Sequence, residues 1–406
     1  MTWQALKGWT PAQKHVVLAA YLGWTLDAFD FFLLVFVLKD VAAEFHVTIH
    51  TVSYAVLATL AMRALGAFVF GRLADRFGRR PILMLDVLLY SVLGFATAFS
   101  PNLIVFLIVR AAFGIAMGGE WGIGASLTME HVKPEARGLV SGLLQSGYPT
   151  GYLIASLVYG LLYAHIGWRG MFMVGIIPAL LIFYIRRHVP ESPAYDRQVA
   201  RETSLRTILV KYWKLALYAI VLMTAFNFFS HGTQDIYPTF LQKQHGFGQG
   251  TVSTIAVLYN VGAILGGLCF GILSQSFGRR RMMIVAALLA LPVIWLWAFS
   301  ATALLLGIGA FAMQFFVQGA WGVVPAHLNE LSPPEARGTF PGTVYQLGNF
   351  IASFNAVLQT GIAAGSGGNY SLALAGVAGV AAIVIALLLA FGPEARNVAM
   401  RSQALI

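Results

Sequence analysis

The sequence predicts an all-α membrane protein with twelve transmembrane helices in two pseudo-symmetric six-helix bundles. Composition gives the first indication. Of 406 residues, 58% are hydrophobic and only 10% charged, against roughly 25% charged in a soluble domain, and the mean hydropathy is +0.75. Length gives the second, because apolar runs of about 20 residues, enough for a helix to cross roughly 30 Å of hydrocarbon, recur along the chain. The third is an internal repeat at a constant offset of 200 residues. GRLADRFGRR from Gly71 matches GILSQSFGRR from Gly271, GGEWG from Gly118 matches QGAWG from Gln318, and PEARG begins at both Pro134 and Pro334. One offset met in three places marks a duplicated unit.

The first six spans are expected at 15–39, 50–72, 82–100, 102–126, 138–163 and 170–187. The second six are expected at 213–242, 250–273, 282–300, 302–327, 338–362 and 370–391. This divides the chain into a bundle at 1–188, a polar linker at 189–212 and a bundle at 213–406. Arg186, Arg187, Arg197, Arg201, Arg206, Lys211 and Lys214 gather around the linker, while Arg72, Arg76, Arg79 and Arg80 follow the second span and Arg279, Arg280 and Arg281 follow the eighth. An even number of spans puts these loops and both termini on one side, and the positive-inside rule makes that side the cytoplasm of a multi-pass bacterial inner-membrane protein. The net charge of +10 sits in those loops and not on a basic face, so nucleic acid is excluded as a partner. Cys269 is the single cysteine, which excludes an intramolecular disulfide. No cleavable signal peptide is expected, because the first apolar run is long enough to span.

Polar residues inside spans are the candidate functional groups, since each costs several kcal/mol unless it meets a partner or a cavity. Asn227, His231, Gln234 and Pro238 recur at i, i+4, i+7 and i+11, and Asp235 follows His231 at i+4, placing a polar stripe on one helix face. Asp27 and Asp30 lie in the first span, Arg63 in the second, and Arg110 and Glu120 in the fourth. Asn260, Gln314, Gln318, Tyr345, Gln346 and Asn349 fall inside later spans, as cavity lining or as helix–helix hydrogen bonds. Tyr148, Tyr152 and Trp321 read first as core. The pairs Gly114–Gly118 and Gly262–Gly266 read as close helix contacts. Parallel repeats about an axis normal to the membrane describe a secondary transporter with a central site.

GRLADRFGRR, with RAAFGIAMGGEWG from Arg110 to Gly122, resembles the signature motifs of the major facilitator superfamily over essentially the whole chain. NFFSHGTQDIYPT, with Asn227, Ser230, His231, Gln234, Asp235 and Thr239 at its fixed positions, resembles the seventh-helix signature of the lactate/pyruvate–proton symporters and their sialate-symporter relatives, and GWTLDAFDFF from Gly23 resembles their first helix. The resemblance implies proton-coupled uptake of a carboxylate by alternating access. Sialate members are longer, which favours a small monocarboxylate such as lactate or pyruvate. Other organic acids or a sugar are the alternative. It also implies that Gly71, Asp75, Arg76, Gly78, Arg79 and Arg80 form a cytoplasmic latch, with a weaker copy at Ser274 and Gln275.

Counting 1.5 Å per residue along each helix puts Asp27 and Arg110 at similar depth. They are therefore expected to interact, with Asp30 nearby. A substrate anion on Arg110 loosens its hold on Asp27 and favours protonation there, which couples proton to substrate. Asp30 is an equal candidate for the proton. The bland reading is a static pair that neutralises buried charge. His231 is suited to relay a proton because imidazole titrates near pH 6.5, with Asp235 orienting it. An extracellular latch is the alternative for this pair. Asn227 and Gln234 suit hydrogen bonding to the carboxylate or bind helix to helix, Arg63 is a second anion anchor or a structural pair, and Glu120 is assigned to a cytoplasmic gate or charge network. No metalloprotease motif, Gly-x-Ser-x-Gly elbow, metal-ligand cluster or ATP-binding loop occurs, so the chain is expected to be no enzyme, to hold no metal or cofactor, and to draw on the proton gradient. Its expected partners are the carboxylate, the proton and the bilayer, and its expected state is a monomer.

Overall fold

The computed structural model describes residues 8–195, 205–398 and 400. Among these residues, regular structure is entirely helical. The first half holds α1 (Pro11–Glu44), α2 (Ile49–Phe77), α3 (Arg79–Thr97), α4 (Leu103–His131), α5 (Arg137–Val174) and α6 (Leu180–His188). The second holds α7 (Leu205–Gln234), α8 (Tyr237–Lys243), α9 (Gln249–Phe277), α10 (Arg279–Ala298), α11 (Ala303–Trp321), α12 (Val324–Leu331), α13 (Phe340–Ala352), α14 (Asn355–Gly365) and α15 (Tyr370–Phe391). Residues 196–204 of the expected linker, with Arg197 and Arg201, lie outside the described residues. The seventh crossing is already helical from Leu205.

These helices form twelve crossings, with departures from simple spans that have local causes. Gly167, at φ 61°, ends the fifth crossing and starts the sixth within one residue. The seventh crossing breaks at Asp235–Ile236, just ahead of Pro238 in the first turn of α8, and the tenth breaks at Gly322–Val323, ahead of Pro325. Proline lacks the N–H that would continue the helix ladder. The eleventh breaks at Ser353–Phe354 without glycine or proline. The duplication is visible in the coordinates, because α9 starts and ends 200 residues after α2. Gly78 and Gly278, at φ 104° and 102°, turn α2 into α3 and α9 into α10. Only glycine adopts such backbone at little cost.

Large apolar side chains such as Leu65, Ile108, Phe183, Trp295, Leu304 and Phe391 are exposed, as a lipid-facing surface requires. The small residues face inward as expected. Gly114 meets the Thr59 backbone and Gly118 the Arg63 backbone of α2, while Gly262 and Gly266 meet Phe311 and Phe315 of α11. A Cβ at position 118 would collide with the α2 carbonyl of Arg63. Gly118→Ala is therefore expected to destabilise the protein by about 1–3 kcal/mol through overpacking, read as a lower unfolding temperature in detergent.

Candidate functional site

A cavity of about 360 Å³ lies between the halves. Trp24, Phe31, Phe32, Arg63, Tyr148 and Tyr152 line its N-half wall. Asn227, Ser230, His231, Gln234, Asp235, Tyr259, Asn260, Tyr345 and Asn349 line the other. Its floor is aromatic: the Trp121 ring centre is 4.7 Å from that of Tyr345, which is 5.4 Å from that of Trp321. Below the floor, towards the face carrying the Arg79 and Arg279 turns, the halves are in direct contact. Gly122 packs on Gly342, Gly142 on Gly267, and Ala326 N donates to Ser141 Oγ at 3.0 Å. Asp235 and Val35, at the other end, remain 40% and 39% exposed. The cavity is thus reached from the face opposite the arginine-rich turns.

The expected Asp27–Arg110 pair is not formed. Asp27 instead meets Arg63, with Oδ2 3.5 Å from Nη2. The reason is helix register. Asp27 and Arg63 both sit near the midpoints of their long helices. Arg110 is seven residues into α4, about 10 Å from its start, and so belongs to another level. Its guanidinium lies 4.0 Å from the Phe113 ring centre and 5.7 Å from that of Phe172, in the electrostatic field of Asp30. Arg110, Asp27 and Asp30 are buried inside the N-half and do not line the cavity. Arg63 does, stacked 5.6 Å from the Trp24 ring centre, and its Nε and Nη2 have no hydrogen-bond partner.

Of the two roles expected for Glu120, its position fits the charge network and not the gate. Its carboxylate packs against Gly23 of α1, away from the contact between halves, and in electrostatic reach of Asp27 and Arg63. Asp86 and Tyr90 on α3 join this buried set and were missed. An acid inside the apolar run 82–100 was the signal that could have found Asp86.

On the C-half, the predicted stripe survives the break after Gln234, because the break falls beyond most of its members. His231 Nε2 is 2.9 Å from Asn349 Oδ1, and its Nδ1 is 3.2 Å from Asp235 Oδ1. The pair faces the cavity and, among the described residues, makes no bond to the N-half. Asn227 and Asn260 each commit one amide proton to their own helix, at Met223 O and Ala256 O, and keep the other for the cavity. Gln234 donates to Gln314 Oε1 at 2.8 Å, and Gln318 to Ser230 Oγ at 3.1 Å, so these glutamines hold the wall together. Tyr148, Tyr152 and Trp321, read as core, line the cavity.

The signature loop forms the expected contact between halves. Asp75 accepts from Gly338 N (2.7 Å), Thr339 N (2.9 Å) and Thr339 Oγ1 (2.6 Å), and Gly71 packs on the same residues. Arg79 pairs with Asp75 at 3.3 Å and with Glu130 at 3.1 Å. Arg80 N donates to Glu191 Oε2 at 3.2 Å, and Arg76 O accepts from Tyr195. In the repeat, Gln275 Oε1 accepts a single bond from the other half, Gly138 N at 3.2 Å, beside one from Arg279 Nη2 at 2.9 Å within its own half, which is the weaker copy expected. Charge-assisted bonds contribute about 1.5–3 kcal/mol each. Asp75→Ala is therefore expected to open this face, read as faster maleimide labelling of a cysteine placed at the fully buried Ser141 in a Cys269→Ser background.

The family profile described as Major Facilitator Superfamily matches residues 20–248 and 220–404. A carboxylic acid transporter protein homolog of Saccharomyces cerevisiae is 30% identical over 89% of this chain, which spans 62% of that relative's length. A probable 4-methylmuconolactone transporter of Cupriavidus pinatubonensis is 30% identical over 98% of this chain and 94% of its own. Among solved structures, the proton:xylose symporter XylE bound to 6-bromo-6-deoxy-D-glucose superposes with a TM-score of 0.74 over 95% of this chain and 97% of its own, at 19% identity.

Proposed function

This chain belongs to the major facilitator superfamily, and from that premise we propose that it is a proton-coupled symporter of an organic monocarboxylate. Its membership makes it a multi-pass membrane transporter and not an enzyme. The observation that carries the finer reading is Arg63, a buried guanidinium that lines a closed-bottomed cavity and is held there by the Asp27 carboxylate alone, 3.5 Å from Nη2, with no hydrogen bond at Nε. Such a fork matches a carboxylate. Asp27 holds it in the absence of the anion, and substrate binding releases Asp27 to take a proton. His231 with Asp235 lies across the same cavity as the proton's point of entry.

Two features bear on which acid is carried. The cavity falls in the range of about 300–1,000 Å³ that holds drug-sized ligands, larger than lactate or pyruvate requires. Its walls and floor are aromatic, which suits a planar unsaturated or aromatic ring. The relatives named for a carboxylic acid and for a muconolactone agree with an organic-acid cargo. We therefore favour a planar acid over a three-carbon one. With the arginine-rich face cytoplasmic, the protein sits in the bacterial inner membrane with its cavity open outward.

Proteoliposomes with an inward acid gradient should accumulate labelled benzoate in preference to lactate, and a protonophore should abolish it. Accumulation of a sugar without competition from carboxylates overturns the proposal. His231→Gln should flatten the rise in transport as external pH falls from about 8 to 5, the range where imidazole gains its proton. An unchanged pH profile removes His231 from the proton route.

A further inference from the structure

Behind Arg63, the helices α1, α3 and α4 enclose ionisable groups for which the transport reading has no use. Asp86 is fully buried, and its Oδ1 lies 2.7 Å from where a Cβ on Gly119 would stand. Glu120, the next residue, lies against Gly23. Neither carboxylate has a hydrogen-bond partner among the described residues. Tyr90, one turn along α3 from Asp86, is fully buried with an unpartnered hydroxyl, and one turn further Gly94 faces Asp30. The α3 face that carries Asp86, Tyr90 and Gly94 is thus turned onto the carboxylates of α1 and α4.

The groups facing this seam are Asp27 and Asp30 from α1, Arg63 from α2, Asp86 and Tyr90 from α3, and Arg110 and Glu120 from α4. Arg63 is matched by Asp27 at 3.5 Å, and Arg110 by the field of Asp30. Asp86 and Glu120 are left without a cation of their own. Two bare carboxylates in a dry core are too costly to persist, so the pair shares one proton at rest and keeps one acceptor free for a second. The repeat shows that the fold does not need this set. At the positions 200 residues on from Arg63, Asp86, Tyr90, Arg110 and Glu120 stand Ala263, Ala286, Ala290, Ala310 and Ala320, all buried.

We propose that Asp86 and Glu120 form a proton-storing pair that takes the transported proton from Asp27. The acid proton of Asp27 passes to the Glu120 carboxylate. Asp27 is left ionised against Arg63, and the pair holds the proton until the arginine-rich face opens. The pair thus empties Asp27 while the floor is still shut. This rests on the proton-coupled reading of the cavity, so its test includes a measurement that needs no substrate.

In infrared difference spectra of the purified protein taken from alkaline to acid pH, wild type should show a protonated-carboxyl band that shifts in D₂O. Glu120→Gln and Asp86→Asn should each remove it, and Glu120→Asp should restore it. In proteoliposomes Glu120→Gln should lower accumulation by about tenfold for each unit of pH gradient, while counterflow exchange persists. An unchanged band in both amide variants, normal gradient-driven accumulation, or a requirement for sodium overturns the proposal. If no acid tested is carried, the infrared arm still decides whether the pair holds a proton.

Discussion

Arg63→Gln is expected to lower monocarboxylate binding and transport by roughly 30-fold to a few thousandfold. Losing one member of a buried hydrogen-bonded charge pair costs about 2–5 kcal/mol, and each 1.4 kcal/mol is tenfold. Arg63 is 2% exposed, its Nη2 has only the Asp27 carboxylate at 3.5 Å, its Nε has no hydrogen-bond partner among the described residues, and it is an arginine that lines the cavity. Arg63→Lys should recover little, because an ammonium cannot grip a carboxylate through two parallel bonds. Counterflow of a labelled acid and quenching of the cavity tryptophans Trp24 and Trp321 measure the two quantities separately. Arg110→Gln supplies the contrast. Arg110 lies under Phe113 and off the cavity, so its loss should leave affinity for the acid nearly intact. If Arg110→Gln removes binding and Arg63→Gln does not, the anion anchor has been placed on the wrong helix.

That contrast marks where the sequence was legible. Hydropathy and the repeat gave the twelve crossings, because span length and duplication are properties of the chain itself. The turn at Gly78, the Asp75 contact and the cavity positions of Asn227, His231, Gln234 and Asp235 were also readable, since spacing along one helix fixes a face. The pairing across helices was not. Depth counted by residue number assumes that every helix starts at one level, and α1, at 34 residues, is longer than α4, at 29. That error exchanged Arg110 for Arg63 as the partner of Asp27. Aromatic residues such as Trp24, Tyr148 and Tyr259 carry no positional signal, because a ring facing a cavity and a ring in a core look alike in sequence. Asp86 was overlooked although an acid within an apolar run is itself a signal.

Asp27→Asn is expected to abolish uphill accumulation while leaving exchange. One proton per substrate lets a one-unit pH gradient support about tenfold accumulation, since one unit is 1.36 kcal/mol. An amide cannot carry that proton, so the ratio should fall to about one. Exchange needs only that the loaded carrier turn over, and Asn preserves the volume that α1 presents to Arg63. The same variant leaves Arg63 buried with no carboxylate at 3.5 Å. An unmatched buried charge costs about 3–5 kcal/mol, so the empty variant should melt below wild type. The acid then supplies the missing counter-charge, and its stabilising shift in melting temperature should be larger in Asp27→Asn than in wild type. A merely structural pair predicts the opposite pattern, with exchange and accumulation falling together and no added stabilisation by the acid. Normal accumulation by Asp27→Asn removes Asp27 from the coupling step and leaves Asp30 as the remaining buried carboxylate of α1.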